Sequence, residues 1–347
     1  MDDLTLMSLA AKYAAKGKPE KTFENPRVGA IIVNNDRILS AGFHKAYGMS
    51  HAEIDAFNHL RDKSSVVGAT MYVTLEPCAV RGKVGSCAEE IKRWGLSRIV
   101  IGTVDPNPAT RGKGILRLRQ AGVQVDILNT QDSIRLNPAF HHYFEKNESY
   151  VQLKLAQSYN ERVAAQPNRQ TNITNSVADI DVHRQRASKS AILVGSQTVL
   201  IDAPRLTVRH IDISHRQPLR VVIDRRGRLI KNQLVSKSGW LVYTENQIFF
   251  EKEPNAVLMT AGLPGVLKDL KNRHIQSVMV EGGPTLIKSF LKLNLWHELL
   301  LYTSKELLPD SGVSGLHLSQ IPDHTSYVGN TIKKVYINHR SETCLQA

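Results

Sequence analysis

Ser50-His51-Ala52-Glu53, read with Thr74-Leu75-Glu76-Pro77-Cys78 and Cys87, decides how the first half of this 347-residue chain is built. Thr70 to Leu75 is a run rich in β-branched and aromatic residues, which reads as a strand stopped by Pro77, with Cys78 just past its carboxyl end. Ser50 stands where it can cap a helix carrying Ile54, Phe57 and Leu60 at helical spacing, with His51 and Glu53 at the start. Cys87 opens a second helical pattern through Ile91 and Trp94. Two strand-to-helix corners thus present one imidazole and two thiols.

That donor set can hold Zn²⁺ with a fourth tetrahedral position left for water, the arrangement of a catalytic zinc. Glu53, two residues after the histidine, can move protons without occupying the metal. Helix termini lower thiol pKa values, which favours the ligating thiolate. A lone His-x-Glu is an ordinary surface sequence, and isolated cysteines behave as small apolar residues. Their conjunction is what points to a metal, and zinc-dependent base deaminases carry this His-x-Glu followed by Pro-Cys and a second Cys. The general signature has two residues between the cysteines; here there are eight.

Working outward, the length suits two domains, and no apolar run is long enough to span a membrane, so no membrane partner is expected. The opening Met-Asp-Asp-Leu lacks a charged-then-apolar signal pattern, so a cytoplasmic location is expected. The third cysteine, Cys344, lies near the end of the chain, which argues against a disulfide framework. The net charge of +13 is spread over both halves without a dense basic block, which favours phosphorylated small ligands over nucleic acid.

Leu6, Leu9, Ala10, Tyr13 and Ala14 recur at helical spacing, and Val28–Val33 and Ile38–Phe43 flank Asn34-Asn35-Asp36 as a tight hairpin. Ile99–Ile101 and Val123–Leu128 continue a strand-and-helix alternation, so the first half reads as an α/β layered domain. The amide of Asn25, ahead of the first strand, could read a pyrimidine edge or ribose hydroxyls, or simply make an Asn-Pro turn.

After an aromatic and charged connector at Phe140–Asn147, the alternation resumes with strands at Val151–Leu155, Ala191–Gly195, Val221–Asp224, Trp240–Tyr243, Val257–Met259 and Ser277–Val280, and a helix over Val177–Ala187. Val280-Glu281-Gly282-Gly283-Pro284-Thr285 leaves a strand and opens a helix, where bare amides can approach a phosphate; a Gly-Gly turn is the plainer reading. Arg225, Arg226 and Arg228 would suit a 2′-phosphate, and a basic surface turn accounts for them equally.

Asn25-Pro26-Arg27-Val28-Gly29, His51-Ala52-Glu53, Thr74 to Cys78 with Cys87, and Asp105-Pro106-Asn107-Pro108 closing on Gly112-Lys113-Gly114 together resemble the bifunctional deaminase-reductase family of bacterial riboflavin biosynthesis. The resemblance covers nearly the whole chain. It implies a cytidine-deaminase-like three-layer domain over residues 1–146, then a dihydrofolate-reductase-like α/β domain over 147–347, with Zn²⁺ and NADPH as cofactors. It implies His51, Cys78 and Cys87 as zinc ligands and Glu53 as the catalytic acid-base. Asn25, Lys83, Asp105, Asn107 and Lys113 become candidate substrate contacts, although plain turns explain Asp105, Asn107 and Lys113 too. In the second half Ala156, Thr198, Asp202, Glu281, Gly282 and Gly283 would face the cofactor, and Arg186, Leu206 and Arg209 the phosphorylated, pyrimidine-nucleotide-like substrate. A surface ion pair is the other reading of each arginine. A homo-oligomer is also expected.

The chain departs from the family where Ser158-Tyr159-Asn160-Glu161 replaces Ser-Leu-Asp-Gly and Gln170-Thr171-Asn172-Ile173-Thr174 replaces Ser-x-Trp-Ile-Thr. Val80 stands at a common histidine, and Gly82-Lys83-Val84-Gly85-Ser86 replaces a Gly-Arg-Thr-Pro-Pro run. These departures keep two other readings open: a deaminase with a non-catalytic second domain, and a nucleic-acid base deaminase or nucleic-acid-binding protein.

Overall fold

The structure, a computed structural model, describes residues 1–79, 85–213 and 215–341. Val80, Gly82, Lys83, Val84 and Cys344, singled out above, lie outside the described residues. The chain divides into two compact units, 1–147 with 213–215, and 148–212 with 216–347.

The first unit runs α1 (Asp3–Ala14), α2 (Pro19–Thr22), β1 (Gly29–Asn34), β2 (Arg37–Phe43), α3 (Ala52–Asn58), β3 (Thr70–Val73), α4 (Cys87–Trp94), β4 (Arg98–Ile101), α5 (Lys113–Gln120), β5 (Gln124–Ile127), α6 (Gln131–Arg135) and α7 (Pro138–Lys146). Its sheet has the order β2-β1-β3-β4-β5. The first three strands pair antiparallel and β3, β4 and β5 pair parallel. Alternate residues serve opposite faces, as strand geometry requires. Ile31, Val33, Tyr72 and Val100 pack against α1. Ala30, Ile32, Met71, Val73, Ile99 and Ile101 pack against α3, α4 and α5. The hairpin turns through Asn35 (φ 48°) and Asp36 (φ 57°), two successive left-handed residues that short-side-chain polar types tolerate.

Two expectations need correcting. The N-cap of α3 is His51, with no side-chain cap, rather than Ser50. The Ser50 carbonyl instead accepts from His44 Nδ1 at 3.1 Å, so His51 lies outside the helix on extended backbone. The stretch expected as a connector, Phe140–Asn147, is mostly the helix α7, closed by Asn147 at φ 59°. By contrast α4 is capped as its sequence dictates: Ser86 Oγ accepts from Glu89 N, with acidic residues in the first turn and basic ones in the last.

The second unit runs β6 (Tyr150–Gln157), β7 (Arg162–Ala164), α8 (Ser176–Ala187), β8 (Ala191–Gly195), α9 (Ser196–Asp202), β9 (Leu219–Ile223), β10 (Trp240–Thr244), α10 (Gln247–Lys252), β11 (Ala256–Leu258), α11 (Gly262–Asn272), β12 (Ser277–Glu281), α12 (Pro284–Lys292), β13 (Glu298–Thr303), β14 (Val313–Ser314), β15 (His324–Val328) and β16 (Thr331–Ile337). Nine strands form one sheet in the order β11-β10-β9-β8-β12-β6-β13-β16-β15. It is parallel from β11 to β13 and antiparallel across β13, β16 and β15. Both faces of the parallel part are covered, so its strands read as continuous apolar runs. Ala191 and Leu193 enter one core, Ile192 and Val194 the other.

The Ser158–Glu161 departure makes a tight turn. Asn160 Nδ2 donates to Leu308 O (2.7 Å) while its Oδ1 accepts from Leu308 N (3.1 Å), a reciprocal pair that an ionised aspartate could not make. Glu161 occupies φ 59°, where glycine is at ease, and its carboxylate meets His317 Nδ1 at 3.0 Å.

Candidate active site

In the first unit α3 lies directly on β2 because Gly42 has no side chain: a Cβ there would meet Ala56 N at 2.2 Å. That approach brings the start of α3 beside the corner after β3. His51 Nδ1 lies 3.2 Å from Cys87 Sγ and 3.6 Å from Cys78 Sγ, and the three donor atoms fall within 4.8 Å of one another. Cys87 N also donates to Cys78 Sγ at 3.3 Å. One imidazole and two sulfurs converging this closely fit zinc.

The Cys78 thiol is brought down to about 4, first by its hydrogen bond from Cys87 and then, against burial, by His51. Cys87 moves well above its ordinary value, because its proton bridges to Cys78 and its surroundings are buried. Helix position alone therefore does not set these thiols; their mutual hydrogen bond moves them in opposite directions. His51 is raised by its hydrogen bond with Cys78. Glu53 is only 3% exposed, and burial raises its carboxyl, which suits a group that must both take and return a proton.

The other candidate contacts in this unit are more structural than their motifs suggest. Asp105 accepts from Asn107 N (2.9 Å) and Thr110 Oγ1 (2.6 Å), Asn107 Oδ1 accepts from Ala109 N (3.0 Å), and Lys113 Nζ donates to Ala109 O (2.6 Å). Asn25 is half-buried, and its backbone N–H donates to Thr22 O at 3.1 Å. Two residues escaped the sequence reading. His44, buried and edge-on to His51 at 5.6 Å, keeps an unpartnered Nε2. Glu76, quoted only as a letter of the Thr74–Cys78 motif, holds four backbone amides, a role that its sequence neighbours do not announce.

In the second unit Ala156, Thr198, Asp202, Glu281, Gly282, Gly283, Arg186, Leu206 and Arg209 line one cleft of about 1210 Å³. It opens at the carboxyl ends of β6, β8, β9 and β12, where ligands gather in such sheets. Arg186 and Glu281 face each other: Nε and Nη2 donate to the carboxylate at 2.5 and 2.9 Å. Burial pushes Glu281 up, but Arg186, Lys154 and His183 hold it down at about 2. Asp202 is raised by burial. Arg228, close to the cleft's basic turn, donates to Ser196 Oγ and Gln197 Oε1, each at 2.7 Å. Gln170 to Thr174, which replace the family's Ser-x-Trp-Ile-Thr, form a mostly polar wall of the cleft. The volume, the bare Gly282-Gly283 turn and the basic lining fit a phosphorylated dinucleotide.

Two family models match the chain: the cytidine and deoxycytidylate deaminase zinc-binding region over residues 1–103, and the RibD C-terminal domain over residues 149–308. The riboflavin biosynthesis protein RibD of Buchnera aphidicola is 33% identical, over 98% of this chain and 100% of the relative. That of Escherichia coli K12 is 34% identical, over 89% of each. Among solved structures, Acinetobacter baumannii RibD superposes with a TM-score of 0.80 at 31% identity, covering 96% of this chain and 98% of that one. A diaminohydroxyphosphoribosylaminopyrimidine deaminase/5-amino-6-(5-phosphoribosylamino)uracil reductase from Thermotoga maritima gives 0.76 at 31%, covering 95% and 97%.

Proposed function

The chain belongs to the RibD family, the bifunctional deaminase-reductases of riboflavin biosynthesis, and from that premise we propose how its own residues divide the work. Residues 1–146 deaminate 2,5-diamino-6-(5-phosphoribosylamino)pyrimidin-4(3H)-one, and residues 147–347 then reduce its ribosyl group to ribityl. The observation that carries the first half is the convergence of His51, Cys78 and Cys87 within 4.8 Å, with Glu53 buried alongside.

His51, Cys78 and Cys87 would hold zinc, which when bound would supply a water activated for hydrolysis at neutral pH. Glu53 takes a proton onto its carboxylate, passes it to the pyrimidine ring nitrogen, and delivers a second to the departing amine, which leaves as ammonia. Asn25, Asp105, Asn107, Lys83 and Lys113 are assigned to the substrate around it. In the second unit the cleft would hold NADPH, which would supply the hydride. Thr198, Asp202, Ala156, Glu281 and the Gly282-Gly283 turn bound the cofactor region of the cleft, and Leu206 and Arg209, with Arg186, the substrate region. Arg186 reaches a phosphate only by sharing its guanidinium with Glu281.

Among the described residues no helix is long and apolar enough to cross a membrane. We place the protein in the cytoplasm, as the free, metal-directed Cys78 and Cys87 suit, and expect a homo-oligomer. The free edge of the large sheet at β15, carrying exposed Tyr327, supports self-association, which sedimentation would test.

The deciding experiment is a mass-spectrometric time course of zinc-loaded protein with the diaminopyrimidine phosphate, with and without NADPH, following nicotinamide absorbance in parallel. Exchange of amine for oxygen without NADPH, then hydride gain with it, is expected. Deamination without NADPH consumption would reduce the second unit to a non-catalytic partner. Absence of both products would overturn the substrate.

A further inference from the structure

We infer that Glu76 is a positioning residue of the deaminase unit, fixing the Asp105–Gly112 loop to the corner that carries the zinc ligand Cys78. The inference starts from a helix that cannot cap itself. The N-cap position of α5 is Gly112, at φ 75°, which has no side chain to offer the free amides of the first turn. Those amides are satisfied from the corner after β3: Glu76 Oε1 accepts from Gly114 N at 2.9 Å and Ile115 N at 3.3 Å, the bonds a Ser or Asp at the N-cap would make.

The other carboxylate oxygen works on the loop itself. Glu76 Oε2 accepts from Gly112 N at 2.9 Å and Asp105 N at 3.2 Å, so one carboxylate clasps both ends of the loop. Between those ends Asp105 and Asn107 shape the turn with their own side chains. Two further contacts bind the same bodies. Gly114 lies so close to the corner that a Cβ would meet Pro77 O at 2.0 Å. Arg117, on α5, donates to Ala79 O at 2.6 Å, one residue past Cys78. Loop, helix start and ligand corner therefore move as one piece, and Glu76 is the joint.

The consequence rests on the reading that Asp105 and Asn107 meet the ribosyl-phosphate end of the substrate. Glu76 touches no reacting atom; it sets the distance between that recognition loop and the metal. In Glu76→Gln, an amide nitrogen faces backbone donors, and half of the clasp is lost. The loop then drifts while the ligands stay.

The test uses the full zinc-loaded chain, with steady-state deamination and zinc content measured on wild type, E76Q, E76D, N107A and E76Q/N107A. E76Q is expected to raise KM for the phosphorylated pyrimidine about tenfold or more, with one zinc retained and kcat changed far less. The double variant should be no worse than the poorer single, because both act through one loop. E76D keeps the charge but shortens the reach by a methylene, and reads the same KM signature where E76Q is too unstable to assay. An unchanged KM in a folded Glu76 variant, or zinc and kcat falling together while KM holds, overturns the inference. If N107A alone leaves KM unchanged, the substrate reading of the loop fails instead, and the two failures are told apart.

Discussion

Arg186 grips Glu281 with two hydrogen bonds of 2.5 and 2.9 Å inside the cleft of the second unit, so the two groups assigned to substrate and cofactor neutralise one another before either ligand arrives. Removing Arg186 leaves the buried Glu281 carboxylate only the longer pairing with Lys154 Nζ at 3.8 Å. Arg186→Ala should destabilise the second unit by about 3–5 kcal/mol, read as a lower urea midpoint. Because Glu281 is held at about 2, below its ordinary 4.5, the carboxylate's contribution is whole above about pH 4.5 and is lost as pH falls toward 2. An acid titration of the wild type, compared with Glu281→Gln, would show that window.

His183 supplies a second, separate pH dependence. Burial, followed by the charges of Arg186, Arg209 and His210, lowers its ring to about 4 from an ordinary 6.5, and its Nδ1 accepts from Arg209 N at 3.1 Å. Between those two values the unfolded chain binds a proton that the folded chain refuses, so stability falls as pH drops from 6.5 to 4. Melting curves across that range should slope less steeply in His183→Gln.

Glu53→Gln removes the proton carrier and leaves the three ligands in place. Deamination should fall by about 10²–10⁴-fold with zinc content unchanged, while NADPH-dependent reduction of pre-deaminated substrate continues. A parallel loss of zinc would mean that Glu53 is needed to build the metal site.

Glu161→Gly should stabilise the protein. A non-glycine residue at φ 59° carries roughly 1–2 kcal/mol of backbone strain, and the exposed pairing with His317 that would be lost is worth little. A gain of about 1 kcal/mol, seen as a higher urea midpoint with an unchanged slope, is expected.

Much of the fold could be read from the chain because its strands are short apolar runs punctuated by Pro, Gly and Asn. Thr70–Val73, Ala191–Gly195 and Ser277–Glu281 carry their own boundaries. The zinc ligands were legible for a different reason: histidine, cysteine and glutamate bear chemistry that few alternative placements explain. What stayed hidden depends on partners distant in sequence. Glu76 reads as a motif letter until α5, almost forty residues later, arrives to be capped. Arg186 reads as a free phosphate ligand until Glu281 closes on it. Ser50 is a good cap by type, yet the N-cap of α3 is His51, whose backbone is extended and whose side chain makes no cap bond.

The strand order of the large sheet also sets a schedule for synthesis. β6 is the first strand of the second unit to leave the ribosome, yet both of its neighbours, β12 and β13, lie some 120 or more residues downstream. At ~5–20 residues per second, Val151, Leu153 and Leu155 wait roughly 6–24 s with neither edge of their strand paired. This interior strand of the mature sheet is therefore, for that interval, an exposed apolar stretch of nascent chain that a chaperone would shield.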